Sequence, residues 1–337
     1  VSNLNKTNHP FSVSTLFVNN IFEENISFGE KAVSLFHYQY HNNIVYRNWC
    51  DAMHINVSAV ATITDIPFLP ISFFKTHQIF CGELKYETVF ESSGTTQTIN
   101  SKHFVKDISI YKKSFIKAFE LFYGDIKNWC IIALLPSYLE RNNSSLVMMA
   151  DELIKLSAHA ESGFYLYDVE KLFDTIKMLE IKNQKTLLLG VTYALLDFAE
   201  KYPLKLNNTI VMETGGMKGR REEMTRHEIH EILKNNFGVE KIHSEYGMTE
   251  LLSQAYSKGD GLFFCAPTMK VLVRDEEDPL RVKNSGKGVL NIIDLANIFS
   301  CSFIATDDAG IVNEDGSFEV LGRLDAADIR GCSLLAI

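Results

Sequence analysis

Hydrophobic spacing divides the chain into a front of scattered aromatics, a middle of alternating strands and helices, and a back of short strands. Up to about Met53, Phe11, Phe17, Phe22, Phe36, Tyr38, Tyr40, Tyr46 and Trp49 suit short helices packed on something larger. Residues 65–75 hold Pro67 and Pro70, which forbid a regular helix and predict an extended segment. Tyr111, Phe115, Ile116, Phe119 and Phe122 recur at helical spacing and predict an amphipathic helix ending near Gly124. Residues 130–135 are a continuous apolar run, expected as a buried strand. The Asn142, Asn143, Ser144, Ser145 cluster then signals a helix whose apolar face runs from Leu146 to Ile154.

From Lys185 the alternation becomes regular. Residues 186–190 read as strand, 193–202 as helix and 209–212 as strand. A helix carrying Ile229, Ile232, Leu233 and Phe237 runs to Gly238, and 241–243 is the next strand. Such repeats predict a parallel sheet with helices on both faces, whose ligands sit in loops at the strand C-terminal ends. Those loops are 213–218 and 244–250. Beyond Leu262 the helical signal fades: 268–274, 288–294 and 303–306 look like strands, and Glu314-Asp315-Gly316 suits a hairpin turn before 317–321. The expected fold class is therefore α/β, mainly parallel sheets flanked by helices, with a smaller β-rich subdomain.

Composition changes this picture by exclusion. With 337 residues, 46% hydrophobic and 22% charged, the chain has material for a sizeable core. A formal net charge of -9 without Lys/Arg blocks argues against nucleic acid and anionic membrane as partners. The apolar run at 130–136 is too short to span a bilayer, and the first residues lack a basic-then-apolar signal, so a cytoplasmic protein is expected. The six cysteines lie far apart without a Cys-x-x-Cys, which suggests neither zinc nor a disulfide framework. His227 and His230 stand at i and i+3, not the i+4 of a zincin helix, and read as a solvated helix face.

Four stretches carry candidate chemistry. In Phe90-Glu91-Ser92-Ser93-Gly94-Thr95-Thr96-Gln97, glycine can turn amides inward and hydroxyls add donors, which makes either an anion-binding nest or a solvated turn. It lacks the Gly-Lys-[Ser/Thr] ending of a Walker loop. In 244–250, Tyr246 could stack on a purine, Gly247 allows close approach, Thr249 could bond a phosphate and Glu250 could hold Mg2+; a turn with a solvated glutamate is the alternative. In Thr306-Asp307-Asp308-Ala309-Gly310 an aspartate at a strand end could accept ribose hydroxyls, with Arg323 of the following 319–325 stretch beside the sugar, unless this is an ordinary hairpin with turn acids. Cys332 follows Arg330-Gly331, where a cation favours thiolate and glycine leaves the sulfur accessible.

Taken in order, Ser92-Ser93-Gly94-Thr95-Thr96, Tyr246-Gly247-Met248-Thr249-Glu250, Thr306-Asp307-Asp308 and Gly322-Arg323-Leu324-Asp325 resemble the core motifs of adenylate-forming enzymes, the superfamily of acyl-CoA synthetases and firefly luciferase. Leu135-Pro136-Ser137-Tyr138-Leu139-Glu140-Arg141 with Ser145-Leu146, Gly215-Gly216-Met217-Lys218 and Arg330-Gly331-Cys332-Ser333-Leu334 are similar, more closely, to the LuxE family of acyl-protein synthetases. The resemblance implies the large-domain fold of adenylate-forming enzymes. It also implies a helical region at 1–64, a nucleotide- and acyl-binding core at 65–261, a β-rich subdomain at 262–325 and a tail at 326–337 bearing an acceptor cysteine.

By the same resemblance, Ser92, Ser93, Gly94, Thr95 and Thr96 would hold the ATP phosphates. Gly215 and Gly216 would flank adenine, with Tyr246 stacked on it and Gly247 beside it. Thr249 would touch the α-phosphate, Glu250 would bind Mg2+, and Asp308 with Arg323 would hold the ribose. Cys332 would accept the acyl group of a fatty acid activated as acyl-AMP, for a partner reductase or transferase. Gln97 and Asp307 depart from the pattern, each standing where many relatives have glycine. The chain as written also ends soon after Asp325, where relatives continue into a mobile domain with an adenylation lysine; Lys102 and Lys218 are the expected substitutes. Two other readings stay open: transfer of the acyl group to coenzyme A or a carrier protein, and a non-catalytic acyl- or nucleotide-binding subunit.

Overall fold

The computed structural model describes residues 20–23, 25–92, 99–135, 143–165, 168–215 and 224–324. At the front, helices α1 (Phe28–Asn42) and α2 (Ile44–Ala52) meet at Asn43. The Asn43 side chain accepts the Val45 and Tyr46 amides as the N-cap of α2 and donates to the Ser300 carbonyl at 3.0 Å. Phe36 and Tyr46 bring this pair onto Phe303, so these two aromatics do pack on something larger, while Phe11 and Phe17 lie outside the described residues. The proline segment gives only the two-residue strand β1 (Leu69–Pro70). Past the second proline nothing bars a helix, and the one-turn α3 (Phe73–Thr76) follows.

Strands β2 (Thr88–Glu91) and β3 (Lys102–Val105) form a separate antiparallel hairpin flanking the hydroxyl-rich loop. Helix α4 (Ile108–Tyr123) is the amphipathic helix expected from the aromatic spacing. Asp107 caps its start through the Ser109 amide, and Gly124 leaves it at φ 81°, a conformation suited to glycine.

The middle then runs β4 (Cys130–Leu134), α5 (Ser145–Ser157), β5 (Gly163–Phe164), α6 (Val169–Ile181), β6 (Thr186–Val191), α7 (Thr192–Lys201), β7 (Thr209–Thr214), α8 (Arg226–Phe237) and β8 (His243–Tyr246). The back supplies β9 (Ala255–Ser257), β10 (Leu262–Cys265), β11 (Met269–Arg274), β12 (Val282–Lys283), β13 (Gly286–Asp294), β14 (Phe303–Val312) and β15 (Phe318–Arg323).

These strands make one mixed sheet in the order β12-β11-β13-β14-β15-β10-β9-β8-β7-β6-β4-β5, with β1 added in parallel to β14. From β5 to β8 neighbours are parallel, and from β8 to β12 antiparallel. Strands β4 and β6 are buried at every position, which explains their unbroken apolar runs. The boundary expected at 262 falls between β9 and β10, hydrogen-bonded neighbours in this sheet.

Several strands run further than their sequence suggested, and β7 takes in Glu213 and Thr214, expected in a loop. β8 continues through Ser244, Glu245 and Tyr246 because β7 and β9 pair with it on either side, and β14 continues to Val312 between β13 and β15. Tyr246 and Asp308 are therefore strand residues, aimed by strand alternation rather than by loop geometry. No helix among the described residues is long and apolar enough to cross a membrane.

Candidate active site

Three strands separate β8 from β14 in the sheet order, yet the Tyr246 hydroxyl donates to Asp308 Oδ2 at 2.8 Å. The sheet must curl strongly there. Inside the curl the Tyr246 ring meets Phe263 of β10 and Phe318 of β15 at centroid distances of 5.9 and 5.4 Å, and those two phenylalanines stack on each other at 5.3 Å. Asp308 lies opposite Arg323 in the β14–β15 register and keeps its Nε at 3.4 Å from Oδ1. The main chain beside it is fixed as well: Arg274 donates to the Thr306 carbonyl at 2.6 Å, and the Thr306 hydroxyl accepts the Asp308 amide at 3.1 Å. Asp308 is only 6% exposed, but each carboxylate oxygen still has a second acceptor direction for a sugar hydroxyl.

After β8 the chain turns through Gly247 and Met248 to Thr249 and Glu250. Three side chains from other elements grip the backbone of this turn and the residues after it. His103 Nδ1, on β3, donates to the Thr249 carbonyl at 2.9 Å. Asn297 Nδ2, on the β13–β14 connection, donates to the Glu250 carbonyl at 2.8 Å. Asp294, at the end of β13, accepts the Leu252 and Ser253 amides at 2.6 and 3.1 Å. Burial holds the His103 imidazole down to about 4, so it is neutral at physiological pH, and its hydrogen must sit on Nδ1 to meet a carbonyl.

The Glu250 carboxylate is buried beside the Ser101 hydroxyl, at the base of the β2–β3 hairpin. Burial pushes it above the usual carboxylate range, against the Ser101 hydrogen bond and the more distant charges of Arg323 and Lys75. A buried carboxylate so poorly compensated, with the Ser101 hydroxyl beside it, is an oxygen-donor position for a hard cation such as Mg2+. Mg2+ ordinarily takes one or two protein carboxylates and completes its shell from phosphates and water. Glu250, Thr249 and Ser101 could supply such a site, and the group fits the residues present.

A second pair of carboxylates lies at the ends of the parallel strands. Glu213 suffers from burial, but His230, Arg226 and Ser244 outweigh it and keep the group below its usual range. His230 thus faces inward, 3.6 Å from Glu213, and not toward solvent as the helix pattern suggested. Glu245, paired in register with Thr214, is lifted to about 7 by burial and by Glu213, although the Thr214 hydroxyl donates to it.

Of the residues singled out from sequence, Ser92, Gly215, Tyr246, Gly247, Thr249, Glu250, Asp308 and Arg323 are described. Tyr246, Asp308 and Arg323 form one contiguous group. Thr249 and Glu250 join the hairpin through His103 and Ser101. The Ser92 hydroxyl accepts the Ser101 amide at 2.9 Å and so closes the neck of its loop. Gly215, at φ 72°, offers its carbonyl to the Thr192 hydroxyl at 2.8 Å. At Gly247 an added Cβ would stand 2.5 Å from Glu245 Oε1, so a larger residue there would push the Glu245 carboxylate aside. Lys102 is 3.6 Å from Glu91 across the hairpin, more than half exposed. Ser93, Gly94, Thr95, Thr96, Gly216, Lys218 and Cys332 lie outside the described residues. Cys50, Cys81, Cys130, Cys265 and Cys301 are free, and burial pushes Cys50 and Cys265 up to about 12 and Cys130 to about 11. They are poor nucleophiles.

A family model described as acyl-protein synthetase, LuxE, matches residues 7–336. The chain belongs to the LuxE family. Two relatives, both named long-chain-fatty-acid–luciferin-component ligase, resemble this LuxE chain along most of its length. That of Aliivibrio fischeri is 26% identical, covering 93% of this chain and 89% of its own. That of Vibrio harveyi is 22% identical, covering 89% and 84%. Among solved structures, ATP-bound MatB from Rhodopseudomonas palustris superposes with a TM-score of 0.54 at 17% identity, over 81% of this chain and 52% of that one. Apo MatB gives 0.51 over 70% and 47%. The LuxE chain thus spans about half the length of the solved structures it matches, and shares their fold. That fold is the expected one, the α/β large domain of adenylate-forming enzymes, here built on one large mixed sheet flanked by helices beside the two-stranded β2–β3 hairpin.

Proposed function

We propose that this LuxE chain activates a fatty acid with Mg-ATP as acyl-AMP, accepts the acyl group on Cys332 as a thioester, and hands it to a partner reductase or transferase. The observation that carries the reading is one convergence. Tyr246, Asp308 and Arg323 from the curled sheet join Thr249, Glu250 and the neck of the hydroxyl loop, although these segments span the sequence from Ser92 to Arg323. The family and the names of the two relatives support the acid and the ligase chemistry.

In this reading the loop from Ser92 through Ser93, Gly94, Thr95 and Thr96 receives the phosphates. Gly215 and Gly216 flank adenine against the Tyr246 ring, and Asp308, oriented by the Tyr246 hydroxyl and Arg323, accepts the ribose hydroxyls. A carboxylate oxygen of the acid attacks the α-phosphorus and the bond to pyrophosphate breaks. Thr249 and a lysine, Lys218 or Lys102, stabilise charge there. Glu250 would hold Mg2+, which supplies charge neutralisation at the phosphates. The Cys332 thiolate then attacks the acyl carbonyl and AMP leaves, a step suited to sulfur as nucleophile.

The test is intact mass after incubation with Mg-ATP and a panel of fatty acids, then hydroxylamine. A hydroxylamine-labile gain of one acyl group, absent in Cys332→Ser, is expected. Acid-dependent pyrophosphate exchange without any covalent adduct would instead favour transfer to coenzyme A or a carrier. Absence of both would leave a binding subunit.

A further inference from the structure

We infer that His103 is a positioning residue for the reaction, acting with Asn297 to fix the main chain of Thr249 and Glu250 relative to the hydroxyl-loop hairpin. The inference rests on the reading of the site given above. Thr249 and Glu250 have no strand or helix of their own to hold them, since β8 ends at Tyr246 and β9 begins at Ala255. Their two carbonyls are instead taken, one each, by side chains from segments remote in sequence. His103 lies 146 residues before Thr249, and Asn297 lies 47 after Glu250.

Both gripping groups are buried and held in turn. The ring of His103 packs edge-on against Phe74 at 5.7 Å and near Phe90 at 6.4 Å. The Asn297 main-chain carbonyl accepts the Gln39 side-chain amide at 2.8 Å, and its main-chain amide donates to the Asp294 carbonyl at 3.1 Å. His103 also stands on β3, two residues from Ser101, whose hydroxyl meets the Glu250 carboxylate and whose amide closes the loop neck on Ser92. β3 and the residue just before it thus reach the carbonyl of Thr249, the carboxylate of Glu250 and the base of the hydroxyl loop. A shift of β3 moves all three together. Groups that orient a ligating or reacting side chain from behind are typically worth 10- to 100-fold in metal affinity or activity.

The chemistry of the contact is specific. Thr249 presents a carbonyl, so the imidazole must donate from Nδ1. Asparagine places an amide nitrogen near the Nδ1 position, whereas glutamine reaches toward Nε2. His103→Asn should therefore preserve the contact and His103→Gln should lose it. Asn297→Ala removes the Glu250 contact, and with it a side chain that neighbours His103, and covers the case in which His103→Gln does not fold.

The experiment measures, for the full chain and each variant, the Mg2+ concentration giving half-maximal acid-dependent pyrophosphate exchange at saturating ATP. Alongside it, amide hydrogen exchange is followed in peptides spanning 248–253 without nucleotide. His103→Asn should stay within about threefold of the parent. His103→Gln and Asn297→Ala should need roughly 10- to 100-fold more Mg2+ and lose protection in those peptides. Parent-like Mg2+ demand and protection in His103→Gln, or a loss in His103→Asn as large as in His103→Gln, overturns the inference. If the parent shows no exchange with any acid, the reading of the site fails. The hydrogen-exchange arm then decides the clamp alone, and equal protection in parent and His103→Gln overturns it.

Discussion

Glu245, at the end of the parallel half of the sheet, and Asp294, in the antiparallel half, are both shut away from water yet held in different ways. Asp294 accepts the amides of Leu252, Ser253 and Ala296 and the Ser253 hydroxyl at 2.6 to 3.1 Å. Burial lifts it to about 6, with those four donors pulling it back. Glu245 receives the Thr214 hydroxyl but stands near the negative charge of Glu213, and is lifted to about 7. The antiparallel half spends its buried carboxylate as a joint between two connections. The parallel half leaves its carboxylate poorly compensated where ligands of parallel sheets bind, and a locally unfavourable group at such a place is a mark of function rather than of fold.

The largest effect should come from breaking the joint. Asp294→Ala strands the Leu252, Ser253 and Ala296 amides without an acceptor, and each buried donor so orphaned costs about 1–3 kcal/mol, so a loss of about 4 kcal/mol or more in urea unfolding is expected. A loss below 1 kcal/mol would show that Asp294 is no joint.

At Glu245 the sign reverses. The group ionises near 4.5 when exposed and about 7 in the fold, so the folded chain keeps the proton longer. Stability on this account is complete below pH 4.5 and is lost as pH rises through 7. Glu245→Gln has no proton to lose. It should match the parent below pH 4.5 and exceed it by about 3 kcal/mol at pH 8, by thermal or urea unfolding. A constant offset across that range would mean that burial of charge is not what distinguishes the site.

Thr214→Val is the smaller counterpart. It removes the hydroxyl from Glu245 and should cost about 2 kcal/mol above pH 7, where the partner is charged, and about 1 kcal/mol at pH 5, where it is neutral. An equal cost at both pH values would assign the threonine to packing.

The two halves also differ in how far sequence reveals them. The parallel half was legible because each strand and helix buries a periodic face, as with Phe115 and Phe119 on α4 or Leu187 to Leu189 in β6. Helix α6 escaped notice, although Leu172, Ile176 and Leu179 follow the helical period and Asp168 caps it through the Lys171 amide. Strands β9 and β10 are only three and four residues long, and the signal that could have found them is the Gly259-Asp260-Gly261 turn between them, where all three residues take positive φ. For the site, ordered motifs revealed Tyr246, Thr249, Glu250, Asp308 and Arg323, residues whose chemistry stands in their type. His103, Asn297 and Asp294 have no such mark. Their value comes from carbonyls and amides that only the folded chain brings within 3.1 Å, and no local pattern encodes that distance.

Lys102 gives the smallest effect and sharpens the comparison at the hairpin that bridges the halves. Sequence made it one of two substitutes for an adenylation lysine. In the fold its Nζ lies 3.6 Å from Glu91 with the side chain 56% exposed, the geometry of an ordinary cross-strand surface pair. Such pairs contribute about 0.5 kcal/mol or less, and salt screens them. Lys102→Met should therefore shift the unfolding midpoint barely at all. If Lys102 serves only this pair, acid-dependent pyrophosphate exchange should stay within about twofold of the parent, whereas loss of a lysine that stabilises charge at the α-phosphate should cost on the order of 100-fold or more in kcat. The two outcomes are far apart. The first leaves Lys218 as the candidate for that charge; the second means that β3 carries, one residue apart, both a cation for the phosphate and the imidazole that fixes Thr249.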